Sequence, residues 1–111
     1  MAGAIRLNEN EGWSVATWVF YHVLRVSCPY LPEEGSSRIV ALIGEVKPGL
    51  NYLNLDGLSE SELAIFRGAL ERGYQHMLGA GKQEFADPDF YPGFMDRFKE
   101  LLDLMSKGSE L

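Results

Sequence analysis

The sequence predicts a mainly α fold, a single four-helix domain over 1–107 that also accommodates a minor two-stranded β element. Three observations predict it. Two long segments, 59–79 and 88–107, each carry their apolar residues on one stripe at helical spacing. A capping box, Ser59 with Glu62, marks the start of the first of them. The chain has 111 residues, of which 46% are apolar, enough for one core without metal or disulfide staples.

In chain order, 4–8 alternates Ile5 and Leu7 with polar neighbours and reads as a short edge strand. Glu9, Asn10 and Glu11 suit a helix start, so a first helix is expected near 11–28, stopped by Pro29. A loop with Pro32, Glu33, Glu34 and Gly35 follows. Ile39, Leu42, Ile43 and Val46 fall at i, i+3, i+4 and i+7, which favours a helix over 37–47, although 39–43 also suits a buried strand. Pro48 and Gly49 end it. Residues 50–55 alternate weakly and are expected to pair with 4–8.

From Ser59 onward, Leu63, Phe66, Leu70, Tyr74, Met77 and Leu78 fall within about 120° of arc. Gly79, Ala80 and Gly81 supply the left-handed stop. Asp87 and Pro88 read as the N-cap and first residue of the last helix, with Pro92 as the alternative start. Its stripe is Phe94, Phe98, Leu101, Leu102 and Met105, with Asp96, Lys99, Glu100 and Asp103 opposite. The last two helices are expected to pair as a hairpin sharing Phe66, Leu70, Phe98 and Leu102. Residues 108–111 read as a frayed tail.

Charge excludes some functions. The formal net charge is −6, with −4 over 31–62 and −4 over 84–111. No window gathers the Lys and Arg that a run of phosphates demands, so neither nucleic acid nor an anionic membrane surface is an expected partner. A basic protein is compatible. Cys28 is the sole cysteine, and 1–11 lacks the apolar core of a signal peptide, so a reducing, cytoplasmic setting is expected.

No motif of catalysis or cofactor binding stands up. Cys28 and His22 would diverge by about 240° on one helix, so they form no dyad. His22 and His76 have no partner at the spacing of a helical metal clip, and no metal is expected. The Asn54, Asp56, Gly57, Glu60 run has Tyr52 and Leu63 where a calcium loop needs acids. Gly79, Gly81 and Lys82 follow a helix and cradle no phosphate. No cofactor is expected.

Binding is the remaining reading. On the wheel of the first helix, Trp13, Val15, Ala16, Val19, Phe20, Val23, Leu24 and Val26 fill the core half. The other half carries Trp18, Tyr21, His22 and Arg25, the residue types that dominate binding hot spots. Trp13 and Trp18 lie about 140° apart, so Trp13 belongs to the core and Trp18 to the opposite face. The acidic loop Glu33-Glu34 and the Asp87-Asp89-Tyr91 segment are further candidates, on charge alone. These features suggest a non-enzymatic, acidic protein-binding domain, such as an inhibitor or immunity-type protein for a basic partner. The alternative is a small homodimeric ligand-binding domain or enzyme with its pocket beside the first helix.

Overall fold

A computed structural model describes residues 2–108. The chain runs β1 (Ala2–Arg6), β2 (Gly12–Ala16), α1 (Thr17–Ser27), a 3-10 turn (Cys28–Tyr30), α2 (Ser37–Gly44), β3 (Tyr52–Asn54), α3 (Glu60–Ala80), a second 3-10 turn (Gly81–Glu84) and α4 (Phe90–Gly108). The mainly α class and the four helices are as the sequence predicts. The β element has three strands, where two were expected. Of the tail expected at 108–111, everything past Gly108 lies outside the described residues.

The extra strand comes from the segment expected to begin the first helix. Residues 13–16 are extended: Trp13 and Val15 are buried while Ser14 and Ala16 are exposed. The acidic run before them closes a hairpin instead of opening a helix. The Asn8 side-chain oxygen accepts from the Asn10 and Glu11 N–H groups at 2.8 and 2.9 Å, an Asx turn that reverses the chain. β2 then pairs antiparallel with β1, Ile5 opposite Trp13. The pairing of 50–55 with the first strand occurs, and it is parallel, Ile5 opposite Leu53. The first strand is therefore central, in the order β2-β1-β3, and not an edge.

Ile5, Trp13, Val15 and Leu53 face inward from the sheet and join Phe20, Val23, Phe66, Leu70, Phe94, Phe98 and Leu101 in a contiguous core. Two close approaches set the packing. A Cβ on Gly3 would lie 2.4 Å from Phe20 Cβ, so α1 rests directly on β1. A Cβ on Gly73 would lie 2.6 Å from Ser27 Oγ and 3.2 Å from Val26 O, so α3 crosses the end of α1 nearly backbone to backbone.

α2 is a helix, which decides between the two readings of 39–43. It ends at Gly44, before the expected 47. Only Ile39 of its stripe is fully buried; Leu42 and Ile43 are half-buried because α2 lies at the margin, against β3. The capping box forms as read: Ser59 Oγ accepts from Glu62 N–H at 3.2 Å, and Glu62 Oε1 accepts from Ser59 N–H at 2.9 Å. Arg38 Nη1 also donates to Glu62 Oε1, at 2.9 Å, tying α2 to the start of α3. The Ser59 amide, with the Ser59 hydroxyl and Arg38, holds the Glu62 carboxyl below its ordinary value. Ser59→Ala is expected to cost about 1 kcal/mol of stability, read from the shift in a urea unfolding midpoint.

Leu78 is exposed at the end of the α3 stripe. The left-handed stop is Gly81 alone, at φ 63°; Gly79 and Ala80 remain helical. α3 and α4 do pack together, with Phe66, Leu70 and Phe98 fully buried, but Leu102 is only half-buried at the seam. α3 also leans on α1, so the last two helices are one side of a larger core and not a self-contained hairpin. α4 begins at Phe90, later than the expected 88. Asp87 Oδ1 accepts from Asp89 N–H at 3.0 Å, so Asp87 and Pro88 form a lead-in turn instead of the helix cap.

Candidate aromatic docking face

α1 projects Trp18, His22 and Arg25 from one side, at i, i+4 and i+7. Opposite them stand Phe90 and Phe94 on α4 and Phe85 in the preceding loop. Trp18 stacks on Phe94 at 5.9 Å between ring centroids and meets Phe90 at 5.5 Å and Phe85 edge-on at 5.9 Å. His22 lies 4.9 Å from Phe85 and 4.8 Å from Phe94. Phe94 is buried and belongs to the core, but Trp18 is 42% exposed and Phe90 54% exposed. The cluster is thus an aromatic patch continuous with the core and open on its outer side.

A cleft of about 290 Å³ opens beside it. One wall is the end of β2, at Ser14, Val15 and Ala16; the other is Asp89 and the first turns of α4, at Phe90, Gly93, Phe94 and Arg97, with Trp18 and Val19 between them. Trp13 is 1% exposed and donates its indole N–H to Arg97 O at 2.9 Å, fastening β2 to α4. The two tryptophans occupy the opposite environments that the helical wheel assigned them, although Trp13 reaches the core from a strand.

The candidate residues divide. Trp18 and Asp89 line the cleft, His22 joins the aromatic cluster through Phe85 and Phe94, and Arg25 reaches only His22. Tyr21 does not: its hydroxyl donates to buried Asn51 Oδ1 at 2.7 Å, bracing the turn where Asn51 takes a left-handed φ of 47°. Tyr91 is half-buried and its hydroxyl donates to Met77 O at 3.4 Å, a tie between α3 and α4. Both hydroxyls are engaged within the fold. Glu33 and Glu34 are exposed before α2 and contribute no wall to the cleft. Asp87 is exposed and holds the turn into α4. Sequence reasoning missed Phe85 and Phe90. The available signal was the row Phe90, Phe94, Phe98 at i, i+4, i+8, which starts outside the core and enters it.

Chemically the site is quiet. Cys28 lies outside the cleft lining, and burial pushes its thiol up, away from the thiolate form. Among the described residues no three of His, Cys, Asp and Glu converge as metal ligands would, and no helix is long and apolar enough to cross a membrane. His22 Nδ1 lies 3.3 Å from Arg25 Nη2, which can only donate, so the proton of the neutral ring sits on Nε2. That nitrogen is buried with no hydrogen-bond partner among the described residues.

Burial first, then Arg25, lower the His22 pKa from its ordinary value of 6.5, against a smaller opposing pull from Glu84. A histidine depressed in the folded state stabilises fully above pH 6.5, and its contribution is lost as the pH falls through the folded value. The melting temperature is therefore expected to drop from about pH 7.5 to pH 5.5, and His22→Gln is expected to flatten that drop. Thermal melts of both proteins across the range check it.

No protein family, curated protein or solved structure matches this chain, so its function must be argued from this geometry.

Proposed function

We propose that this chain is a protein-binding domain, and that its docking face is the Trp18–Phe90 patch with the adjoining cleft. The observation that carries the reading is the continuity of two half-exposed large aromatics with a buried cluster of rings. Anchors held in place before binding lose little side-chain entropy on association, and Trp is prominent among hot-spot residues. The acidic segments at 31–62 and 84–111 favour a basic partner, whose encounter would be accelerated by charge. An inhibitor or immunity-type role in a reducing, cytoplasmic setting fits this description, with occlusion of the partner as its mechanism. The alternative ligand-binding or enzymatic reading gains a cleft, but among the described residues Cys28 does not line it.

The test is capture of partners from source lysate on immobilised protein, comparing the native chain with Trp18→Ala. Truncating a hot-spot indole is expected to weaken capture by about 2 kcal/mol or more. Equal capture by the two proteins would place the docking face elsewhere. Light scattering on the same samples reports whether a second copy already covers the face.

A further inference from the structure

β2 is an outer strand of the sheet, paired on one side only. Leu7 N–H donates to Glu11 O at 3.0 Å, which fixes the phase of the β1–β2 ladder. On the other side of β1, Ala4 N–H donates to Asn51 O and Arg6 O accepts from Leu55 N–H, so Gly3 and Ile5 turn their backbone groups to β2. Their opposites, Val15 and Trp13, turn theirs to β1. The N–H and C=O of Ser14 therefore point away from the sheet, and among the described residues they have no partner. This open edge is also a wall of the aromatic cleft, so a strand laid along it would send alternate side chains in between Val15, Trp18, Phe90 and Phe94.

Charge selects the occupant. Arg97 in the cleft wall is neutralised by Glu100 at 2.8 Å. Asp89 in the wall and the nearby Asp87 have no ion-pair partner among the described residues. The uncompensated charge of the cleft is negative. A second copy of this chain would bring the same carboxylates, and a net charge of −6, against their own kind.

We infer that β2 takes up an extended cationic peptide segment of a partner protein as a fourth strand. One bulky apolar side chain of that segment sits in the cleft, and a flanking Lys or Arg faces Asp87 and Asp89. This rests on the proposed docking face and adds the backbone mode and the chemistry of what is bound.

The probe is a displayed library of random heptapeptides, panned on the native chain, with the enriched peptide resynthesised for fluorescence polarisation. Enrichment of apolar residues at alternate positions with a flanking Lys or Arg is expected. Methylating one peptide amide that faces Ser14 is expected to weaken binding about tenfold. Ser14→Pro is expected to do the same while keeping the β1 ladder, because the lost N–H points outward. The methylated peptide needs no variant and so decides the matter if Ser14→Pro misfolds. Asp87→Asn with Asp89→Asn should weaken binding and reduce its salt dependence.

Peptides that lose affinity with Trp18→Ala but ignore amide methylation would overturn strand addition and leave the docking face standing. Peptides that ignore Trp18→Ala as well, or a library without enrichment, would remove both. A native dimer dissociated by Ser14→Pro would assign the edge to a second copy and overturn the proposal.

Discussion

Gly3→Val will cost about 3 kcal/mol or more of folding free energy, at the upper end of overpacking penalties. A side chain on Gly3 has nowhere to go. Its Cβ would sit 2.4 Å from Phe20 Cβ and 2.5 Å from Phe20 Cγ, and Phe20 is 0% exposed. Relief would require α1 to lift from the sheet, opening the contacts of Val19, Val23 and Leu24 beneath it. Valine is otherwise favoured in strands, so the sign of the effect separates crowding from propensity. The control lies on the neighbouring strand. A Cβ on Gly12 meets only Ile5 O at 3.6 Å, an ordinary contact, so Gly12→Ala should change stability by less than about 0.5 kcal/mol. Urea unfolding midpoints of the two variants read the difference directly. Equal midpoints would mean that α1 does not cross β1 at this point.

Local signals make part of this fold legible in the sequence, and tertiary contacts decide the rest. Ser59 and Glu62 lie three residues apart, and the capping box they form is local, so nothing distant can override it. The stripes of α3 and α4 run for 21 and 19 residues, long enough for a 3.6-residue period to separate from chance. The 13–27 segment is different. Trp13 and Val15 satisfy a period of two, while Val19, Phe20, Val23 and Leu24 satisfy 3.6, and Val15 fits both. A five-residue strand offers too few repeats to break that tie. What breaks it is the hairpin with β1, a tertiary contact, and the Asn8 turn, whose acidic neighbours equally suit a helix start.

The candidate site divides in the same way. The wheel of α1 separates Trp18 from Val19, Phe20, Val23 and Leu24 correctly because all five lie on one regular helix. Phe85 and Phe90 come from a loop and from the first turn of α4, so their approach to Trp18 depends on how α4 docks on β2. Tyr21 stands apart from the cluster for a related reason. Its position on the wheel is semi-polar, but its hydroxyl serves Asn51, 30 residues along the chain.

Phe94 and Phe90 occupy successive turns of α4, and their replacement by alanine should have opposite consequences. Phe94 is 1% exposed and touches Trp18, His22, Phe85 and Phe98. Phe94→Ala leaves a cavity where those rings converge and is expected to cost about 3–5 kcal/mol, a large share of the stability of a small domain. Because Trp18 stacks on Phe94, its indole should also lose its fixed orientation, seen as a shift of its emission toward that of a solvated tryptophan. Phe90 is 54% exposed, so Phe90→Ala removes a wall of the cleft while sacrificing little buried area. Its stability should stay within about 1 kcal/mol of the native chain, with the loss confined to partner binding. Thermal or urea unfolding of the pair, followed by partner capture, tells the roles apart. If Phe90→Ala were as destabilising as Phe94→Ala, the outer ring would be core and the patch would end at Trp18. If Phe94→Ala were mild, α4 would not be anchored through this cluster, and the cleft between α4 and β2 would lose the rigidity that makes it a preformed site.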